Sequence, residues 1–443
     1  MNSESNKSSK GSFIMPGYTL PFILVTSLFF MWAIPHNLND VLIKQSMKVF
    51  AIDRMHAGFI QSAFYMGYFL LAMPAALLMR KFTYKTGLVA GLALYFLGCL
   101  LMFPAALISK YYAFLVALFI IASGLSFLET GANPFIAVIG DSSSSERRLN
   151  FSQAFNPFGA ITGAGVGTIF IFSGREPDAS QIEAMKLDGT YSHFIKEELW
   201  RIVPPYLVLA CVVLILAFLI IKTKFPNPGE GQAVVNNHTS KGRLTDLFKM
   251  PHFVQAVIAQ FLYVGAQVGT WSFFIQYVQD YTGRNEKLAG ILLTGTLAAF
   301  AIGRFSATLI MKYIKPNRLM GLYGIINVFL VSIAIFSPGT LGMWSLFLTS
   351  FFMSLMFPTI FAIGIKGLGP NTKLGGSLII MSIIGGAVYP PIMGKIYQMT
   401  HSMAISMVLP LAAYAFIAYY AFFGTRTLNE SVKQPDDKTI IMH

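Results

Sequence analysis

Charged residues are scarce in this sequence: they make up 12% of 443 residues, against 55% hydrophobic ones, and the mean hydropathy is +0.62. A soluble domain carries about 25% charged residues, so a soluble enzyme or binding module is excluded. Cysteine occurs only at Cys99 and Cys211, both inside apolar runs. Two isolated thiols supply neither a disulfide framework nor a metal-ligand spacing, and both read as packing residues. The chain also lacks a glycine-rich phosphate cradle and a second soluble domain, which argues against ATP-driven work and against a cofactor. No nucleophile, base and oxyanion donor can be assembled from its residues, so an enzyme is not expected.

What fills the chain is apolar runs of about 20 residues, the length a helix needs to cross the hydrocarbon core. Twelve are read, at 17–38, 57–79, 87–107, 111–138, 150–173, 202–221, 252–279, 288–311, 319–337, 341–365, 374–396 and 402–423. The expected class is therefore an all-α integral membrane protein with the lipid bilayer as its surroundings. The formal charge of +13 does not point to nucleic acid. Its basic residues sit in short loops such as Arg80-Lys81, Arg147-Arg148 and Lys312 to Arg318. Positive charge in short loops marks the cytoplasmic side, which places both termini inside. The polar first 16 residues lead into a full-length run with no small-residue cleavage pattern, so that run is expected to remain as a helix.

An internal repeat organises the spans. The loop after the second, Arg80 to Lys85, has a counterpart in Lys312 to Arg318; Ala57-Gly58 matches Ala289-Gly290, and Pro134 to Gly140 matches the spacing of Pro358 to Gly364. The expected domains are an N-terminal tail at 1–16, six-helix bundles at 17–221 and 252–423, a linker at 222–251 and a tail at 424–443. Repeats of this kind place a substrate site near mid-membrane. The acid-rich outer segment, 173–201, reads as a solvated cap.

Acids inside the spans are rarer still. Glu129 lies within the fourth span as an unpaired carboxylate, and Asp40 closes the first, so no other span holds a comparably placed acid. An ionisable group at bilayer depth marks an ion or substrate path by default; the plainer alternatives are that Glu129 bonds to a neighbouring helix as glue and that Asp40 ends its span in headgroup water. Ser126, Glu129 and Asn133 share one helical face. Pro35 is expected to interrupt the first span, with His36, Asn37 and Asp40 on a common face beyond it. The fifth span carries Asn150, Gln153 and Asn156, then Gly159, Gly163 and Gly167, whose spacing lets a neighbouring helix approach. The seventh carries Gln260, Tyr263, Gln267 and Trp271 in one stripe. Amides both donate and accept, and aromatic faces match C–H patches, so both sets suit a sugar, although interhelical bonding or packing would use the same residues. Arg304, toward the cytoplasmic end of the eighth span, either snorkels or holds a gate. Phe357-Pro358-Thr359 and Gly385-Gly386 read as bending points.

Four stretches together resemble the fucose:proton symporter family of the major facilitator superfamily: Asn37-Leu38-Asn39-Asp40; Ala57-Gly58-Phe59-Ile60-Gln61-Ser62-Ala63-Phe64-Tyr65; Leu128-Glu129-Thr130 with Ala132-Asn133-Pro134-Phe135; and Pro358-Thr359-Ile360-Phe361 with Gly364-Ile365-Lys366. The resemblance implies twelve helices in two bundles, alternating access, and uptake of a monosaccharide with a proton across a bacterial inner membrane by a monomer. It makes Asp40 and Glu129 the proton-coupling acids and puts Asn37, Gln153 and Asn156 near the substrate path. Pro35-His36 and Phe357 depart from the family's Ala-Asn and Tyr, leaving the sugar open among L-fucose, glucose or galactose, and N-acetylglucosamine. A proton-driven exporter of apolar compounds can share the fold, but the rows of amides disfavour it.

Overall fold

The computed structural model describes residues 12–50, 52, 56, 59–171, 173, 179–225 and 243–425. The Ala57-Gly58 half of the repeat, most of the central loop, both tail ends and the side chain of Asp40 lie outside the described residues. The helices are α1 Thr19–Phe50, α2 Phe59–Lys81, α3 Tyr84–Ile108, α4 Tyr111–Val138, α5 Ser145–Gln153, α6 Asn156–Val166, α7 Ala179–Leu187, α8 Tyr191–Trp200, α9 Val203–Lys222, α10 Leu244–Leu247, α11 Pro251–Thr282, α12 Glu286–Ile310, α13 Pro316–Phe336, α14 Thr340–Met353, α15 Met356–Gly364, α16 Thr372–Met381, α17 Gly385–Thr400, α18 Met403–Ser406 and α19 Val408–Tyr419. Among the described residues they make up twelve segments long and apolar enough to span a membrane.

The chain falls into two compact units: a first of Pro16–Ala132 and Phe155–Pro226, and a second of Met1–Met15, Asn133–Ala154 and Asn227–His443. In the first, α1 packs along α6 and α3 along α9; in the second, α11 packs along α17 and α13 along α19. First with fifth and third with sixth therefore recurs as seventh with eleventh and ninth with twelfth. The α1–α6 contact is close because α6 is glycine-lined: a Cβ on Gly159 would overlap the Phe30 carbonyl oxygen, and one on Gly163 would lie 2.5 Å from that of Ile34.

The rods break at several places, among them two that lie one turn before a proline. The fifth span is divided at Ala154-Phe155 and the tenth at Ser354-Leu355, while a short 3-10 segment, Ser382–Ile384, precedes Gly385-Gly386 in the eleventh. The bends expected at Phe357-Pro358 and Gly385-Gly386 are present. Pro35, in contrast, does not interrupt α1, which continues to Phe50. The Met31 carbonyl deprived of its partner by Pro35 accepts instead from the Tyr95 hydroxyl at 3.0 Å, so the helix keeps its course without stranding that polar group. Asp40 consequently lies well inside a continuous helix rather than at its outer end.

Two further expectations are corrected. The segment 173–201 is solvated only in part: Ser180 to His193 are largely exposed, whereas the end of α8 turns inward and buries Glu198 to 2% exposure. The Glu198 carboxylate accepts from Gln45 Nε2 at 2.8 Å and pairs with Lys48 Nζ at 3.1 Å, both on α1. Of the two cysteines, Cys99 is buried but Cys211 is exposed, so only the first serves as a packing residue. At the other end of the chain, Ser12 to Met15 lie against the α4–α5 loop: Met15 N–H donates to Ile139 O at 2.9 Å and Asp141 N–H to Ser12 O at 3.1 Å. The fully buried Arg148 ties this strap down, donating to Phe13 O at 3.0 Å and to Ile136 O at 2.6 Å at the α4 C-terminus.

Candidate functional site

Glu129 and its partners belong to the first unit. Glu129, 8% exposed on α4, is not unpaired as its sequence position implies: its Oε1 accepts from the Tyr68 hydroxyl of α2 at 3.0 Å. Ser126, one helical turn earlier, donates to the Tyr68 backbone carbonyl at 2.9 Å, so the shared face grips one residue at two points. The Tyr68 ring lies 5.6 Å from that of Phe64, which meets His36 of α1 edge-on at 5.2 Å. His36 is thus half-buried among aromatic rings. Two predicted substrate amides stand on α1 and α6, Asn37 Nδ2 donating to Ala33 O at 2.8 Å and Asn156 Nδ2 to Phe29 O at 3.3 Å. A carboxyl–hydroxyl pair, an imidazole and two amides can handle a proton and hydroxyl groups without calling on a metal.

The second unit holds the remaining predicted residues. Gln153 Nε2 donates to Asn133 Oδ1 at 2.8 Å, joining α5 to the end of α4. Along α11, Gln260 is fully buried with no hydrogen-bond partner for its side-chain amide among the described residues, Tyr263 is fully buried beside Phe357 with ring centroids 6.3 Å apart, and Gln267 is half-buried. Trp271 donates from Nε1 to Ser350 Oγ at 3.1 Å and meets the Phe300 ring at 5.3 Å. A buried amide with unspent donors and acceptors on a helix of aromatic neighbours has the chemistry to bind hydroxyl groups.

Arg304 does not snorkel. It is 3% exposed, its guanidinium stands 4.4 Å over the Phe300 ring beside the Tyr263 hydroxyl, and it donates to two backbone carbonyls, Nε to Ser354 O at 2.7 Å and Nη1 to Gln153 O at 2.9 Å. Two more polar contacts accompany it along α5. Asn150 Nδ2 donates to Thr359 Oγ1 of α15 at 3.0 Å, and the buried Glu146 carboxylate forms an ion pair with Lys366. Sequence reading missed Tyr68, Glu146 and Glu198. Tyr68 could have been found as the next aromatic on the Phe64 face; the two acids reveal themselves only through partners far away in the chain.

Comparison with known proteins places these residues in context. A family model described as Major Facilitator Superfamily matches residues 15–390. The chain is similar to the L-fucose-proton symporter of Escherichia coli, 41% identical over 93% of this chain and 94% of that one. It is more distantly similar to the glucose/galactose transporter of Brucella abortus, 31% identical over 93% of this chain and 95% of that one. Among solved structures it resembles a Major Facilitator Superfamily transporter, FucP, in the outward conformation, with a TM-score of 0.83 and 40% identity over 92% of this chain and 99% of that one.

Proposed function

The chain belongs to the Major Facilitator Superfamily, and on that premise we propose that it imports a monosaccharide, L-fucose first, together with a proton. The observation that carries this reading is the buried Glu129 carboxylate bonded to Tyr68, an acid held at membrane depth on a helix whose next turn, at Asn133, begins the amide set. Glu129 and Asp40 are the proton-coupling acids. Asn37, Asn133, Gln153, Asn156, Gln260, Tyr263, Gln267 and Trp271 meet the sugar. Similarity to a glucose/galactose transporter favours those hexoses as the second candidates. A proton-driven exporter of apolar compounds fits the amides poorly, because the fully buried Gln260 amide would face an apolar cargo with its donors and acceptors unspent.

The protein works as a monomer in the bacterial inner membrane with both termini cytoplasmic, and the six-helix halves divide at 222–251. Alternating access then needs a seal on the cytoplasmic side. Asn150–Thr359, Glu146–Lys366 and Arg304 on the Gln153 carbonyl supply one, fastening α5 to α15 and α12; Arg304 is its gate, and the seal parts when sugar leaves inward. Glu146→Gln removes the ionic part of that seal and so lowers the population of the state closed on this side. The apparent affinity for external sugar should then fall about fivefold, the effect of ~1 kcal/mol on such an equilibrium; an unchanged affinity removes Glu146 from the gate.

The function itself is tested by following external pH in a lightly buffered suspension of de-energised cells after separate additions of L-fucose, D-glucose, D-galactose and N-acetylglucosamine. Alkalinisation with L-fucose is expected. Alkalinisation only with another of the four moves the specificity to that sugar, and silence with all four overturns proton symport of these sugars.

A further inference from the structure

The two carbonyls that Arg304 binds are not arbitrary. Proline has no N–H, so it leaves the carbonyl four residues before it without an intrahelical donor. Pro157 deprives Gln153, and Pro358 deprives Ser354. These are the carbonyls that receive Arg304 Nη1 and Nε, at 2.9 and 2.7 Å. Each lies at a helix break, Ala154-Phe155 for the first and Ser354-Leu355 for the second, and both residues are buried. We infer that Arg304 takes the place of both missing prolyl donors, and that by doing so it is the positioning residue for the sugar-binding amides Gln153 and Asn133.

The planar guanidinium suits this because its N–H groups form a rigid fork that reaches two acceptors at once, whereas a lysine ammonium is a single point. The grip on Gln153 has a direct consequence for the site, since the same residue donates from its side chain to Asn133 Oδ1. Releasing the Gln153 carbonyl frees the turn on which that amide stands. Tyr95 does the equivalent for Met31, one turn before Pro35, but with a hydroxyl that serves one carbonyl only. The positioning role rests on the sugar-transport reading; the carbonyl role does not.

The test is a double-mutant cycle on the purified full chain. Arg304→Met should lower the thermal midpoint. In a Pro358→Ala background, where the new alanine returns an N–H to the Ser354 carbonyl, the same substitution should cost about half as much because the two sites share one hydrogen bond. Equal losses in both backgrounds overturn the carbonyl role. Should Arg304→Met fail to fold alone, its recovery by Pro358→Ala counts for the inference; if neither folds, Arg304→Lys is run through the same cycle and equal losses there overturn it. For positioning, Arg304→Lys should raise the KM for sugar about tenfold, as the loss of one charge-assisted hydrogen bond does. A KM equal to that of the unmodified protein overturns the positioning role. The cycle reads stability alone, so it decides the carbonyl role even if the unmodified chain moves none of the sugars tried.

Discussion

Glu129→Gln abolishes accumulation of sugar against its gradient, by about two orders of magnitude or more, the scale on which a dedicated proton-transfer group contributes. The amide reproduces the shape and hydrogen bonding of the protonated acid: the Tyr68 hydroxyl that donates to Oε1 at 3.0 Å still has an oxygen to meet. What it cannot do is release a proton. The variant therefore resembles a carrier fixed in its loaded form, and exchange of labelled sugar across a membrane with equal concentrations on both sides survives. Accumulation and exchange measured on the same vesicles separate the two. Full accumulation by Glu129→Gln would remove this residue from coupling. Tyr68→Phe provides the companion measurement, because it keeps the ring packed on Phe64 and deletes only the donor; it slows uptake without uncoupling it.

The second large effect is on stability. Glu198→Ala leaves Lys48, which is only 18% exposed, with the Ser173 hydroxyl but no carboxylate, and the Gln45 amide with the residue-198 backbone carbonyl alone. Removing one partner of a buried ion pair costs ~3 kcal/mol or more, since the remaining charge keeps its desolvation penalty. Glu197, next in the chain, is 50% exposed and pairs with His193 of its own helix. Its replacement by Ala falls within about 0.5 kcal/mol, as surface substitutions do. Thermal midpoints of the two variants, compared side by side, check the contrast. A Glu198→Ala protein as stable as Glu197→Ala would mean that the α1–α8 contact carries no weight.

The same contrast explains what could be read from the chain and what could not. Span number, the glycine-lined face of α6 and the bends at Pro358 and Gly385 follow from periodicity and backbone chemistry, which are local. Outcomes set by partners elsewhere in the chain were illegible. Pro35 carries the ordinary signature of a helix break, yet α1 runs through it because Tyr95, 64 residues from Met31, offers a hydroxyl to the orphaned carbonyl. The acid-rich outer segment has the composition of a solvated loop, yet Glu198 is buried against a residue 153 positions earlier. Arg304 looks like a snorkelling cation at the end of a span until the two prolines whose damage it repairs are seen beside it. For the site, residue types were legible, whereas their distribution between two clusters required coordinates.

The strap at the N-terminus has a consequence for biosynthesis. Phe13 and Arg148, which holds its carbonyl, are 135 residues apart, so Ser12 to Met15 must wait for the fourth span and the loop beyond it to follow. At roughly 5–20 residues per second, that delay is on the order of ten seconds. Until Ile139, Asp141 and Arg148 have been made, Ser12 to Met15 cannot take the contacts they hold in the fold. The final turn of α4 and the fold of the N-terminus are thus completed together, after the first four spans have been threaded, making the docking of Ser12 to Met15 a late event in assembly rather than its beginning.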